Sequence, residues 1–192
     1  MLNKETRDQI VALIKREVVP AIGCTEPIAV ALCVAKATET LGTMPESIDV
    51  LLSGNMLKNA MGVGIPGTGM SGLPIAIALG AIVGKSEYQL EVLKDSTPEH
   101  VEKGKAYIAE NRINISLKEN ITEKLYIEVT VKAGDNTASA IIAGGHTHFI
   151  SITHNGEVLL SSKQKNGTQV ENKDIELSLR MVYEFADTAP IE

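Results

Sequence analysis

The sequence predicts an α+β fold: N-terminal helices with a glycine-rich loop, followed by a mixed, mostly antiparallel sheet with flanking helices. Three observations lead to this prediction. Apolar residues recur at helical spacing over the first forty positions, eight glycines lie within residues 54–84, and short segments beyond residue 110 alternate apolar and polar side chains. We therefore expect two segments, residues 1–85 with the helices and the glycine-rich loop, and residues 86–192 with an α+β unit.

Two helices are predicted at the start of the chain. The first carries one apolar stripe among charged residues and ends at Pro20, which cannot continue a helix. The second has Thr25 as its predicted N-cap, with Glu26 and Pro27 suited to its first turn. Gly42 fits a C-terminal cap, so we expect this helix to stop there.

The remaining elements follow from turn residues and periodicity. Residues 47–52 form a predicted buried strand, and Ser71 is expected to cap a helix that holds Pro74 in its first turn. Later elements are predicted as a short helix over 87–93, a helix from Thr97 to about Glu110, strands over 113–117, 125–131, 138–143, 148–153 and 157–161, a polar loop over 162–171, and a helix over 174–185.

Composition excludes several classes of protein. The net charge is −6 and no basic stripe is visible, which argues against a nucleic-acid partner. No apolar run reaches the length of a membrane span, and the charged, amphipathic N-terminus does not read as a signal sequence. The two cysteines form no disulfide framework, so we expect reduced thiols and a cytoplasmic location.

The segment Gly23-Cys24-Thr25-Glu26-Pro27 is the strongest candidate for chemistry. It places a cysteine directly before a helix start, where unpaired N–H groups and the helix dipole favour the thiolate that attacks electrophiles and binds metals. The alternative is a small buried residue in a tight turn. Local chemistry alone leaves both interpretations open.

Three sequence blocks together resemble the L-cysteine desulfidase family, which is related to the alpha chain of iron–sulfur L-serine dehydratases. The resemblance extends over the whole chain. The blocks are Gly23 to Pro27, Ser53-Gly54-Asn55 with Lys58-Asn59, and Gly64-Ile65-Pro66-Gly67-Thr68-Gly69.

The resemblance implies a four-iron four-sulfur lyase that eliminates sulfide from L-cysteine and leaves pyruvate and ammonia. It also implies that Cys24 is a cluster ligand, alongside two further cysteines that this chain does not contain. Cys33 cannot replace them, because it lies nine positions along the helix, about 14 Å away and on roughly the opposite face. We expect the chain to be the N-terminal part of a longer enzyme, completed by a C-terminal half or a partner subunit and inactive alone; a homo-oligomer stays open.

The glycine-rich loop favours a carboxylate over a phosphate as its ligand. Glycines that lead to a helix start bring backbone N–H groups close to a ligand, but no lysine follows them as a phosphate loop requires. Tight helix packing is the alternative reason for these glycines. The resemblance favours binding of the substrate carboxylate. The predicted substrate-binding residues are Asn55, Asn59, Gly67, Thr68 and Gly69.

Two residues are candidates for the base that removes the α-proton: Lys58 first, and His146, which follows Gly144-Gly145, second. His146 and His148 share a face if both lie in a strand, so a zinc site is conceivable, but a catalytic zinc needs three protein ligands. A histidine at the solvated edge of the core is the simpler interpretation. His100 is expected at the surface of a charged helix.

Other functions stay open at this stage. The sequence does not distinguish L-cysteine from L-serine as substrate. The chain could instead be a non-catalytic domain that binds a small amino or hydroxy acid or pairs with a second subunit. A third reading is a thiol enzyme with Cys24 as nucleophile and His146 as base.

Overall fold

The computed structural model describes residues 2–162 and 175–189. Its helices are α1 (Lys4–Glu17), α2 (Thr25–Leu41), α3 (Gly54–Ala60), α4 (Leu73–Ile82), α5 (Pro98–Ala109) and α6 (Leu179–Thr188), with a 3-10 helix at Ser86–Glu91. Its strands are β1 (Ser47–Leu52), β2 (Gly64–Ile65), β3 (Met70–Ser71), β4 (Ile113–Leu117), β5 (Tyr126–Ala133), β6 (Asn136–Ala143), β7 (Phe149–His154) and β8 (Glu157–Ser161).

The chain forms two compact units. The larger one comprises residues 20–164, and the smaller one combines residues 1–19 with 165–192. The division predicted at residue 85 falls inside the larger unit, because β1 pairs with strands from beyond that position. Apart from its first residue, the polar loop predicted over 162–171 lies outside the described residues.

The smaller unit contains α1 and α6. Asn3 caps α1, accepting a hydrogen bond from the Thr6 N–H at 2.8 Å. The Arg7 guanidinium donates to both the carbonyl and the hydroxyl of Thr188, at 3.1 and 2.6 Å. The helix predicted over 174–185 begins later than expected, because Ser178 is the N-cap of α6.

The larger unit contains a six-stranded sheet, and its strand order is β4-β1-β5-β6-β7-β8. Only the β1–β4 pair is parallel; the other pairs in this sheet are antiparallel. A separate two-stranded sheet joins β2 to β3. The predicted α+β class with a mostly antiparallel sheet is therefore confirmed, and β1, from within the helical segment, lies second in the sheet.

One face of the large sheet builds the core. Alternate residues of β1, β5 and β6 are buried, as the period of two predicts. Helix α2 packs on β5, β6 and β7, and it is buried along nearly its whole length because its side chains are small or apolar. It ends at Gly42, whose φ of 78° is the left-handed cap predicted from the sequence.

Helix α4 approaches α2 closely at Gly80. A Cβ atom there would lie 2.6 Å from the Ala31 carbonyl oxygen, so only glycine allows this spacing. This supports the helix-packing interpretation for the glycines in the second half of the glycine-rich region.

The end of the sheet where β1 finishes also carries helix α3. Ser53 caps this helix, accepting a bond from the Met56 N–H. Its own N–H donates to the Tyr126 carbonyl at 3.0 Å, and its hydroxyl donates to the Lys124 carbonyl at 2.8 Å. These bonds fix the start of α3 to the start of β5.

Candidate functional site

The junction before α2 is held on two sides. On one side the Ile22 N–H donates to the Leu90 carbonyl at 3.0 Å. On the other side Gly23, with φ of 86°, lies so close to Pro66 that an added Cβ would be 2.9 Å from the proline ring. The junction is therefore clamped between the 3-10 helix and the β2–β3 hairpin, directly before Cys24.

Cys24 itself is the N-cap of α2, and the prediction that Thr25 caps this helix is wrong. Thr25 is the first helical residue, and no side chain makes a cap hydrogen bond. The backbone of Cys24 is extended, with φ of −71° and ψ of 134°. The turn at Gly23 leads directly into the helix, so the N-cap is Cys24, one residue earlier than the N-cap preference of threonine predicts.

The Cys24 thiol is exposed and faces a carboxylate. Its Sγ lies 3.4 Å from Oε2 of Glu26 and donates a hydrogen bond to it. Loss of hydration, together with the hydrogen bond to Glu26 and the negative charge of its carboxylate, raises the pKa of Cys24. The backbone N–H groups of Thr25 and Glu26 at the helix start do lower the pKa of Cys24, as expected, but the loss of hydration and the Glu26 carboxylate outweigh them.

Glu26 connects the first two sequence blocks of the site. The Asn59 side-chain amide donates to its Oε1 at 3.2 Å, and the Thr25 hydroxyl donates to its Oε2 at 3.2 Å. Partial burial acts to raise the pKa of Glu26, but its own N–H and the donors Cys24, Asn59 and Thr25 together lower it. An ionised carboxylate therefore accepts bonds from both α2 and α3.

Helix α3 presents its polar side chains to solvent. Met56 and Ala60, four residues apart, are buried, whereas Asn55, Lys58 and Asn59 are exposed. Within the described part of the chain, only Asn59 of these three has a side-chain hydrogen bond. Asn55 and Lys58 can therefore contact a ligand without first breaking a bond of the protein.

The glycine-rich loop forms the β2–β3 hairpin. Gly67 and Gly69 have φ of 75° and 65°, which glycine adopts without strain. The buried Thr68 hydroxyl donates to the Ile65 carbonyl at 2.7 Å and accepts from the Met70 N–H at 3.0 Å. Thr68 therefore supports the hairpin, and its hydroxyl is already engaged.

The helix after the hairpin starts at Gly72 and not at Ser71. Ser71 lies in β3, while Gly72 is the N-cap of α4 with φ of 87°. A Cβ at Gly72 would lie 2.9 Å from the Met61 carbonyl oxygen. The expected serine cap is wrong because this close approach requires glycine at the turn.

The histidines do not share a strand. His146 is half-buried in the turn between β6 and β7, and β7 begins only after His148. His148 Nδ1 lies 3.0 Å from the Ala143 carbonyl, a bond internal to this turn. The turn lies at the end of the sheet that carries α3, since Tyr126 pairs with Ala143.

His100, half-buried, forms a capping box with Thr97 in α5.

Cys33 belongs to the core, as predicted. It is fully buried in α2, and its thiol donates to the Ala140 carbonyl at 3.2 Å. Burial raises its pKa far above the ordinary range. Across residues 2–162 and 175–189, no three histidine, cysteine, aspartate or glutamate side chains converge as a metal site.

Sequence reasoning missed the role of Glu26 and the two contacts that hold the junction. Glu26 was assigned only to the helix dipole, although its position two residues after Cys24 allowed a direct contact. The pairing of Ile22 with Leu90 and of Gly23 with Pro66 has no local signal, because each joins distant parts of the chain.

Comparison with known proteins finds relatives of greater length. The chain is similar to UPF0597 proteins of Bacteroides fragilis (68% identity over 191 residues), Phocaeicola vulgatus (65% over 192) and Porphyromonas gingivalis (46% over 197). Each match covers 100% of this chain but only 45%, 44% and 46% of the relative. The chain thus spans less than half the length of these curated relatives.

Neither of the other comparisons gives a match. No family profile matches the chain, and no solved structure does. As for membranes, none of the helices in the described ranges is both long and apolar enough to span one.

Proposed function

We propose that this chain is part of an iron–sulfur lyase that eliminates sulfide from L-cysteine to give pyruvate and ammonia. The proposal rests on the resemblance of its three sequence blocks to the L-cysteine desulfidases. One structural observation supports it most: the three blocks come together at the junction that carries the exposed thiol of Cys24. Glu26 bonds Cys24 and Asn59, and Pro66 packs on Gly23.

The residues present fit a cluster in part. Cys24 is exposed and its thiol can supply one ligand, whereas Cys33 is buried and bonded to the sheet. The other ligands must come from outside the described residues. When bound, the cluster supplies an iron that acts as a Lewis acid on the leaving group.

The chain's own residues are assigned to binding and proton transfer. Asn55 and the Gly67–Gly69 turn hold the substrate carboxylate, and Glu26 keeps Asn59 next to Cys24. Lys58 is the first candidate for the base that removes the α-proton, and His146 is the second. Loss of this proton and cleavage of the carbon–sulfur bond, with the electron pair leaving on sulfur, give an enamine that hydrolyses to pyruvate and ammonia.

Two variants of the proposal use the same site. Elimination of water from L-serine needs the same base and the same carboxylate contacts, and differs only in the leaving group. A thiol enzyme with Cys24 as nucleophile is less favoured, because the hydrogen-bond partner of Cys24 is Glu26 and the pKa of the thiol is raised.

Both cysteines are free, consistent with action in the reducing cytoplasm.

A second candidate function is pairing with a further domain or subunit. Leu179 and Tyr183 of α6 are 90% and 78% exposed, and no residue of this amphipathic helix is buried. Large exposed apolar side chains of this kind mark interaction surfaces. The greater length of the relatives is consistent with such a partner, which could also carry the missing cluster ligands.

The test is anaerobic iron–sulfur reconstitution of this chain and of the full-length Bacteroides fragilis relative. Visible absorbance reports the cluster, and sulfide release from L-cysteine reports the reaction. We expect the longer protein to take up a cluster and release sulfide, and this chain alone to do neither. Parallel pyruvate assays with L-cysteine and L-serine identify the leaving group.

Serine at the position of Cys24 in the long protein should abolish sulfide release and lower its iron content. Alanine at the position of Cys33 is the matched control, because this thiol points into the core, and it should preserve both. A fully active Cys24→Ser variant, or a long protein that binds no iron, contradicts the proposal.

A further inference from the structure

The backbone of Gln89 is unusual for a residue with a side chain. Its φ is 53° and its ψ is −125°, which are not helical angles, and it forms a kink between two short 3-10 turns within residues 86–91. Residues other than glycine rarely adopt a positive φ, and such strain persists only where the surrounding structure enforces it. Strain of this kind concentrates at functional sites.

The surrounding segment does enforce this conformation. The N–H and hydroxyl of Ser86 donate to the Glu39 carboxylate of α2, at 2.7 and 2.5 Å. The Leu90 side chain is only 2% exposed, and the Val92 N–H donates to the Gln89 carbonyl at 3.1 Å. Gln89 is therefore fixed between an anchor to α2 and a side chain in the core.

Gln89 directly precedes the residue whose carbonyl holds the junction before α2. The Leu90 carbonyl accepts the Ile22 N–H, two residues before Cys24. We propose that Gln89 is a positioning residue: its positive-φ backbone aims the Leu90 carbonyl at Ile22 and thereby fixes Cys24. The inference goes beyond the proposed reaction, and its test needs neither cluster nor substrate, so either can fail without the other.

The experiment measures alkylation of this chain by iodoacetamide under native conditions, resolved by peptide mass spectrometry. Gln89→Val disfavours a positive φ, because valine is β-branched, whereas Gln89→Gly accepts it freely. In Gln89→Val we expect iodoacetamide to alkylate Cys24 faster by a factor of about 2 to 10, as for the loss of one hydrogen bond, because the displaced thiol no longer donates to Glu26. Gln89→Gly should alkylate Cys24 at the rate of the unaltered chain.

Cys33 serves as an internal control, because its buried thiol reacts only when the larger unit opens. Glu87→Val, two residues away at a φ that is not positive, controls for placing valine in this segment. An unchanged Cys24 rate in Gln89→Val overturns the proposal. A parallel rise in the alkylation rate of Cys33 also overturns it, because such a rise indicates general unfolding. An equal rise in the Cys24 rate of Gln89→Gly overturns it too, because the side chain would then be responsible.

Discussion

The side-chain amide of Asn59 donates a hydrogen bond to Oε1 of Glu26 at 3.2 Å, joining α3 to the first turn of α2. The other carboxylate oxygen of Glu26 accepts from the Cys24 thiol. A single carboxylate therefore links the residue proposed to bind iron to the helix proposed to bind substrate. The hydrogen bond thus connects two blocks through residues that lie 33 positions apart in sequence.

Replacing Glu26 by glutamine should shift the titration of Cys24. The hydrogen bond from Cys24 to Glu26 and the negative charge of that residue both raise the pKa of the thiol. Glu26→Gln should therefore move the midpoint of the pH profile of Cys24 alkylation to lower pH. The shift should be partial, because loss of hydration, the largest cause, remains. Glu87→Gln is the control, and a midpoint unaffected by Glu26→Gln would show that the two groups do not interact in solution.

The same carboxylate should contribute to stability in a pH-dependent way. The folded-state pKa of Glu26 lies below its ordinary value of 4.5, so its contribution is present above pH 4.5 and is lost as the pH falls through the lowered pKa. The difference in unfolding free energy between the unaltered chain and Glu26→Gln should shrink between pH 6 and pH 3. Urea denaturation at both values measures it; a difference independent of pH contradicts this prediction.

Alanine at Gly80 should destabilise the larger unit. Its Cβ would lie 2.6 Å from the Ala31 carbonyl oxygen, and backbone cannot move as cheaply as a flexible side chain. Overpacking of this kind costs about 1–3 kcal/mol. Gly62→Ala is the matched control, since no atom lies within 4 Å of its added Cβ, and it should be neutral or stabilising by about 0.4–1 kcal/mol. Denaturant unfolding compares the two; equal effects would exclude close helix packing as the cause.

Removing the Thr68 hydroxyl should weaken the hairpin. Valine keeps the shape but leaves the Met70 N–H without its acceptor, at a cost of about 1–3 kcal/mol. Thr68→Ser retains both hydrogen bonds and should stay close to the unaltered chain in unfolding free energy. If Thr68→Val keeps full stability but loses sulfide release in the long protein, the hydroxyl acts on substrate and not on the hairpin.

Rates of sulfide release by single variants should show which of the two candidate bases, Lys58 or His146, removes the α-proton. In the long relative, methionine at the position of Lys58 should abolish sulfide release while the visible absorbance of the cluster persists, because Lys58 contacts neither Cys24 nor Glu26 among the described hydrogen bonds. Methionine at the position of Lys105, an exposed lysine of α5, should leave the rate unchanged. Loss of activity on alanine at the position of His146, with the Lys58 variant active, would assign the base to His146.

Local sequence determined most of the elements. The alternation in β5 and the glycine cap at Gly42 were read directly from the chain, because each depends on residues within one element. The same reasoning placed Cys33 in the core. It erred at Thr25 and Ser71, where local cap preference gave way to turns that packing dictates.

Only the tertiary structure decided the surroundings of Cys24. The position of the thiol at a helix start followed from the sequence, but the direction of its pKa depends on the Glu26 carboxylate and on hydration in the folded chain. The order of the strands, with β1 between β4 and β5, likewise requires pairing across more than sixty residues. Contacts between distant segments follow from how whole faces pack, and no local window of sequence contains that information.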